Sequence, residues 1–208
     1  MISGSSLEGD SELVRLNTDG SFDSSFGNAG FAVLSMRAGP LVLQLDGKLV
    51  VAGAAISPQM QRFDTNGQLD TTFGTEGTAA LVFGGSAMVL LSNGKFLVTS
   101  GGFPAGALAR YNSNGSLDTT FGASGQEAAL AAPGTAVQSN GQIVTAGNIV
   151  TQTSLTGNSS GFGLMRFSAS GTTDGTFGTH GAVVTSFPGF SVASALPLAI
   201  QTTGRSLL

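Results

Sequence analysis

Short apolar runs alternate along the chain with polar turns. LVLQL at 41–45 is followed by Asp46-Gly47 and then KLVVAG at 48–53. MQRF at 60–63 leads into the turn Asp64-Thr65-Asn66-Gly67, and TAALVF at 78–83 follows a Phe-Gly loop. Runs rich in Val, Leu and Phe and bounded by Asp-Gly or Asn-Gly are the pattern of antiparallel strands joined by tight turns. No segment keeps a 3.6-residue period long enough for a helix of more than a turn or two. The pattern predicts a four-stranded meander with strands A (LVLQL), B (KLVVAG), C (MQRF) and D (TAALVF).

The same grammar returns four times. A Phe-Gly pair stands at Phe26, Phe73, Phe121 and Phe177, at spacings of 47, 48 and 56. Asp23, Asp70, Asp118 and Asp174 precede each Phe by three residues, and Arg15, Arg62, Arg110 and Arg166 precede each Asp by eight. A second glycine series runs Gly47, Gly94, Gly141 and Gly204. Self-similarity with four strands per unit of about 47 residues is the signature of a propeller blade. The expected fold is therefore all-β, a β-propeller of four four-stranded antiparallel repeats with about 16 short strands. The repeats occupy 40–83, 86–131, 134–186, and 196–208 joined with 1–35, in one repeat domain over 1–208.

The ends set the expectation for closure. Met1-Ile2-Ser3-Gly4 aligns with Val50-Val51-Ala52-Gly53, and Gly204-Arg205-Ser206-Leu207-Leu208 aligns with Gly47 to Val51. Both ends thus claim one B-strand place. The N-terminal segment continues into strand C at Leu13-Val14-Arg15, so it is expected to pair with the A strand near Leu198–Gln201. The residues after Gly204 would then fray or pair elsewhere. That arrangement closes a ring through one shared blade and removes free sheet edges. The alternative is half of a larger ring, completed by a second chain.

The strings DGSFDSSFGNAG, NGQLDTTFGTEG and NGSLDTTFGASG, with QLDGKLVVAG, resemble the delta-60 repeat, which occurs in tandem in many bacterial proteins. The resemblance covers nearly the whole chain. The period here is shorter, and the fourth repeat departs furthest, with SASGTTDGTFG in its turn and only RSLL for strand B. The resemblance implies a bacterial, all-β repeat architecture and little about chemistry.

Composition narrows the function classes. Twelve acids against eight bases give a net charge of −4, the pI is near 4.7, and only 10% of residues are charged. A chain with no basic stripe is not expected to bind nucleic acid. With 41% hydrophobic residues it is too apolar for an ordinary disordered tail. The absence of cysteine excludes disulfides and thiolate chemistry, and one histidine excludes a multi-histidine metal site within the chain. The N-terminal residues show no signal peptide, so expression as given is expected to be cytoplasmic. Residues 128–165 carry no charge, but Pro133-Gly134, Asn140-Gly141 and Gly157-Asn158 break them into strand lengths, so no membrane span is expected.

The repeated polar residues have two readings. In the first, each Arg binds its Asp across the C–D connection and each Phe plugs its blade. In the second, Asn17-x-Asp19-Gly20-x-x-Asp23 and Asp64-x-Asn66-Gly67-x-x-Asp70 offer oxygen ligands at alternate positions, as calcium loops do. Asp19, Asp23, Asp64 and Asp70 are the metal candidates, and no other cofactor is expected. The third and fourth copies lose the acids, whereas an Asx-turn explains all four.

Gly157-Asn158-Ser159-Ser160-Gly161 matches the nucleophile-elbow pattern, with Asp174 and His180 following in hydrolase order. The setting lacks the strand–turn–helix that an elbow needs, and Ser159 falls in a B–C loop while His180 falls in a C–D loop. His180 aligns with Asn28, Glu76 and Ser124, a tolerant turn position. On the A strands, Gln44, Gln138 and Gln201 recur where the second repeat has Leu91 or Ser92, as satisfied core amides or as channel ligands.

Two insertions break the period. Gly53 to Arg62 is 9 residues but Gly147 to Arg166 is 19, and Gly27 to Gly47 is 20 but Gly178 to Gly204 is 26. Both additions fall on one face of a meander, the face where repeat proteins often bind. Thr151, Gln152, Asn158, Ser159, Phe187 and Phe190 are the binding candidates, with hydroxyls, amides and aromatic rings suited to a neutral ligand. The expected function is a binding or interaction module for a neutral small molecule or a protein surface, with self-association as a further option. The alternative, by analogy of fold, is a calcium-dependent propeller hydrolase, a lactonase opening acyl-homoserine lactones in quorum quenching.

Overall fold

A computed structural model describes residues 2–5, 11–53, 57–101, 106–129, 131–153, 157–186, 198–200 and 206–207. The first sheet contains β1 (Ile2–Ser5), β2 (Ser11–Val14) and β3 (Phe31–Leu34). The second contains β4 (Ala38–Leu43), β5 (Leu49–Gly53), β6 (Gln59–Phe63) and β7 (Thr78–Ala80). The third contains β8 (Ala87–Leu90), β9 (Phe96–Thr99), β10 (Gly106–Tyr111) and β11 (Gln126–Ala129). The fourth contains β12 (Ala131–Val137), β13 (Ile143–Thr153), β14 (Gly157–Phe167) and β15 (Ala182–Ser186). A two-stranded sheet, β16 (Ala199–Ile200) with β17 (Ser206–Leu207), ends the described chain. Among the described residues there is no helix. Strand order within every sheet follows chain order, so each is a meander, as the turn pattern predicts.

The predicted strands A to D of the second sheet are β4 to β7, with two adjustments. Strand A starts earlier, at Ala38, and its pairing with β5 shifts register between Ala38 and Leu41. The corresponding strand β12 shifts between Ala131 and Gly134. Pro40 and Pro133 lie inside these irregularities, and a residue without a backbone N–H belongs at such a break in a ladder. Strand D is shorter, at Thr78–Ala80, although the Leu81 N–H still donates to the Pro58 carbonyl.

The chain divides into two compact units, one of Met1–Phe96 with Tyr111–Leu117, the other of Leu97–Arg110 with Asp118–Leu208. In the first, Leu13, Phe26, Ala32, Leu34, Met36, Leu49, Val51 and Phe63 form a buried cluster that joins the first two sheets. All five residues of β5 are buried, which accounts for its unbroken apolar sequence, while edge strands alternate. In the second, Ile143, Val144, Ala146 and Phe167 are buried on the central strands of the fourth sheet.

The N-terminal segment behaves as a B strand, with Ile2 opposite Val14 and Ser3 opposite Leu13. The expected closure through a shared blade is not what β16 shows. Its partner is the chain's own C-terminal strand, Ala199 opposite Leu207 and Ile200 opposite Ser206. The expectation gave that place to the N-terminus and left the residues after Gly204 to fray or to pair outside the ring. A hairpin closed over a few residues costs far less chain entropy than a pairing between opposite ends of the sequence.

Candidate functional site: the repeated Arg–Asp–Phe–Gly latch and the grooves beside it

Each repeat builds the same latch from strand C and the loop after it. Arg Nε donates to Asp Oδ2 at 2.7 Å in Arg15–Asp23, 2.9 Å in Arg62–Asp70, 2.7 Å in Arg110–Asp118 and 2.8 Å in Arg166–Asp174. The other carboxylate oxygen accepts from the hydroxyl two residues on, Ser25, Thr72, Thr120 or Thr176, at 2.6 Å each. The same guanidinium lies over the motif Phe, its carbon 4.6–4.7 Å from the ring centre in all four copies. A cation held over an aromatic face and tied to a carboxylate has little freedom left. The loop closes by hydrogen bonds from the Asp N–H to the Arg carbonyl and from the Phe N–H to the Asp carbonyl.

The latch also reaches the next repeat. Arg15 Nη1 donates to the Thr65 carbonyl, Arg62 Nη1 to that of Ser113, and Arg110 Nη1 to that of Ala169. The motif glycine follows the same rule one residue further on. The N–H of Gly27 donates to the Asn66 carbonyl, that of Gly74 to Asn114, and that of Gly122 to Ser170, at 2.7–3.0 Å. Gly74 could hold no other residue. Its φ is +56°, and a Cβ there would stand 2.1 Å from the Thr78 carbonyl oxygen.

These contacts hold the Asp23, Asp70 and Asp174 carboxylates ionised. Lys48 Nζ, with Thr72 and Arg62, holds the Asp70 carboxyl well below the usual carboxylate range. Hydrogen bonds from Ser25, then Arg15, lower Asp23, and those from Thr176, then Arg166, lower Asp174. Lys48 and Gln142 each add a donor to the same Asp Oδ2 from strand B. Sequence reasoning passed over these two residues. Their signal was position, since each directly follows the turn glycine Gly47 or Gly141.

Of the four metal candidates, Asp23 and Asp70 are latch carboxylates. Asp19 Oδ1 accepts from the N–H and hydroxyl of Ser21, and Asp64 Oδ1 from the N–H groups of Asn66 and Gln68, both in Asx-turn geometry. Among the described residues, no three Asp, Glu or His side chains gather where they could hold a metal ion.

The insertion after strand B is an extension of the hairpin. β13 and β14 are eleven residues each and pair over their full length. Their register sets Thr151 opposite Ser159 and Gln152 opposite Asn158, so four binding candidates come together at one hairpin end. Phe187 and Phe190 lie outside the described residues. Ser159 is paired within the ladder of a regular strand, which is no nucleophile elbow. It stands six residues before Met165, whose partner Ala182 lies two beyond His180, so roughly 20 Å of strand separates the two. His180 has φ +53° and is exposed, and its equivalents are Ala29, Glu76 and Ser124. In the first repeat this place belongs to Ala29, one residue beyond the Asn28 expected from alignment. The A-strand position resolves to Gln44, Leu91 and Gln138, each donating its N–H to the carbonyl four residues on. Oε1 of Gln44 and of Gln138 is buried without a hydrogen-bond partner, contrary to satisfied core amides. Gln201 lies outside the described residues.

Two grooves run between successive latches and turns. The larger, about 590 Å³, lies between Thr72–Val82 and the turn Asn114–Leu117, and the second, about 360 Å³, between Gly27–Val33 and Gly67–Leu69. They are equivalent places in neighbouring repeats, and neither is lined by an ionisable side chain. The repeated latch and its surrounding strands also decide the family. Four segments, 2–26, 44–73, 92–121 and 138–177, match the family described as a domain of unknown function (DUF5122) beta-propeller, and together they cover more than half of the chain. The chain belongs to the DUF5122 beta-propeller family. Each matched segment ends at a motif Phe, so the DUF5122 signature is centred on strands B and C and the latch. No curated protein matches the chain. No helix among the described residues is long and apolar enough to cross a membrane.

Proposed function

We propose that this DUF5122 chain, whose repeats we assign to the delta-60 type on their DGSLDxxFGxxG strings, is a non-catalytic β-propeller module that binds a neutral ligand or partner surface. One observation carries the reading: the repeated Arg and Asp side chains are consumed by the latch, and the grooves beside it are lined by apolar side chains such as Leu81, Val82, Val33 and Leu69 with neutral polar ones such as Thr75, Asn114, Asn28 and Gln68, without a titratable residue. General acid–base or nucleophilic chemistry needs a group with a proton to give or a lone pair to spare. Uncharged surfaces of mixed apolar and amide or hydroxyl character instead suit neutral partners. The hairpin end with Thr151, Gln152, Asn158 and Ser159 is the proposed contact region.

The test has two arms on the intact chain. A panel of esters and lactones, including acyl-homoserine lactones, is assayed with calcium and with chelator, and a panel of neutral oligosaccharides is screened for binding. Binding that withstands chelator, with lactones untouched, is expected. Lactone turnover abolished by chelator would replace this reading with a calcium-dependent lactonase.

A further inference from the structure

One place inside the second unit is polar where the equivalent place in the first unit is apolar. In the first unit, Leu41 of β4 stands opposite Val51 of β5. Val51 is fully buried, and Leu41 packs against the cluster that contains Val51 and Leu34. The same positions of the fourth sheet hold Thr135 on β12 opposite Thr145 on β13. The turn glycines set the equivalence, since Leu41 and Val51 flank Gly47 as Thr135 and Thr145 flank Gly141. The hydroxyl of Thr135 meets that of Thr99 on β9 at 3.0 Å. Thr99 is fully buried, at the position where β5 and β13 carry the buried Ala52 and Ala146. All three threonines belong to the second unit. Three hydroxyls thus stand where the other repeats place Leu, Val and Ala. Side-chain volume falls as well. Ala129 follows Gly125 by four residues as Leu34 follows Gly30, so Ala takes the place of a buried Leu, and Thr135 is smaller than Leu41.

Thr145 is the member of this group with no match. It is 0% exposed, and its Oγ1 has no hydrogen-bond partner among the described residues. Its equivalents Val51 and Val98, also fully buried, have the same shape without the hydroxyl. A buried hydroxyl left unpaired opposes folding, and valine avoids that cost entirely. Residues directly opposite on antiparallel strands put their side chains on one face, so the Thr145 hydroxyl shares a face with Thr135, the residue that touches Thr99.

We propose that Thr145, Thr135 and Thr99 form the binding site of an internal water molecule in the second unit. Water fits this chemistry because it both donates and accepts, and a buried water makes about three hydrogen bonds to groups that otherwise lack a partner. The Thr145 hydroxyl donates to the water oxygen, and the water donates to the Thr135 oxygen, with Thr99 beside it. An ion does not suit the place. Thr135 and Thr145 lie in the stretch 128–165, which carries no charged residue to balance one. Thr135 is half-buried, so the site has a way out to solvent and its water exchanges without unfolding. The bridge ties β12 and β13 to β9 through hydrogen bonds where the first unit uses apolar packing. This proposal does not depend on the binding reading above.

The experiment measures the oxygen-17 relaxation dispersion of water with the 208-residue chain and with Thr145→Val, beside a high-resolution crystal structure of the wild-type chain. Oxygen-17 reports the water molecule itself, free of the hydroxyl protons that threonines exchange with solvent. Valine is the residue that β5 and β9 carry at this place, so the variant is expected to fold, and circular dichroism checks that it does. The wild-type chain is expected to show long-lived water, and Thr145→Val to lose the contribution of one molecule. The crystal structure is expected to show an ordered water within hydrogen-bond distance of Thr145 Oγ1 and Thr135 Oγ1. A dispersion amplitude equal in the two chains overturns the proposal. So does a crystal structure in which the Thr145 hydroxyl donates to a protein carbonyl, or in which no density stands between the threonines. The crystal structure decides the question alone if Thr145→Val does not fold.

Discussion

The Arg62 guanidinium lies 4.7 Å from the centre of the Phe73 ring. One side chain therefore ends an ion pair, covers an aromatic plug and reaches the Ser113 carbonyl of the next repeat. Because Phe73 is fully buried and also meets Phe96 edge-on at 6.3 Å, it joins the latch to strand β9. The motif is a structural device that fastens one repeat to its neighbour.

Truncating the buried plugs should cost far more than truncating the open one. Phe73→Ala and Phe121→Ala should each lose about 3–5 kcal/mol, since each leaves a cavity in a closed environment. Phe177→Ala, at a partly exposed ring, should lose about 1–2 kcal/mol through its area and its cation–π contact. Chemical denaturation of the three variants against wild type checks the order.

Asp70 should tie stability to pH in one window. Its carboxyl is lowered from 3.8 by Lys48, Thr72 and Arg62, so its contribution is complete above the unfolded value and declines as pH falls below it. Asp70→Asn should cost about 3 kcal/mol near neutrality by leaving Arg62 and Lys48 without their counter-charge. The gap in melting temperature between wild type and variant should stay constant from pH 5 to 8 and narrow below about pH 4. A gap that widens in acid would show that Asp70 is not the ionised partner.

Two glycines with the same sign of φ should respond differently to alanine. Gly74→Ala drives a Cβ into the Thr78 backbone, and unfolding or a loss of several kcal/mol is expected. Gly20→Ala meets open space and should cost about 1 kcal/mol from backbone strain alone. Thermal melts of the pair distinguish local strain from contact with a neighbouring repeat.

The hairpin end should be separable from the fold. Paired changes at Gln152 and Asn158, or at Thr151 and Ser159, lie far along the extended β13–β14 ladder from the buried Ile143 and Phe167. Each double alanine variant should keep its melting temperature within a few degrees while losing binding to any neutral ligand found in the oligosaccharide screen. Equal loss of stability and binding would place those residues in the structural core instead.

The turn and strand grammar, repeated four times, determined the elements of this protein. Asp-Gly and Asn-Gly bounding Val- and Leu-rich runs set the meander, and the eight-residue step from Arg to Asp named the ion pairs before any coordinates, because both signals are local. Only the tertiary structure decided what those pairs hold. That Arg15 reaches Thr65, and Gly27 reaches Asn66, depends on how one repeat stacks on the next, and no spacing within a repeat encodes it. The insertion in IVTQTSLTGNSSG looked like a loop because its Gly, Ser and Thr residues have turn propensity, yet 149–153 pair with 157–161 as the continuation of β13 and β14. The end of the chain was misjudged for a related reason. Two segments carried the same B-strand pattern, and the choice of β17 as partner of β16 rests on loop entropy, which alignment does not weigh.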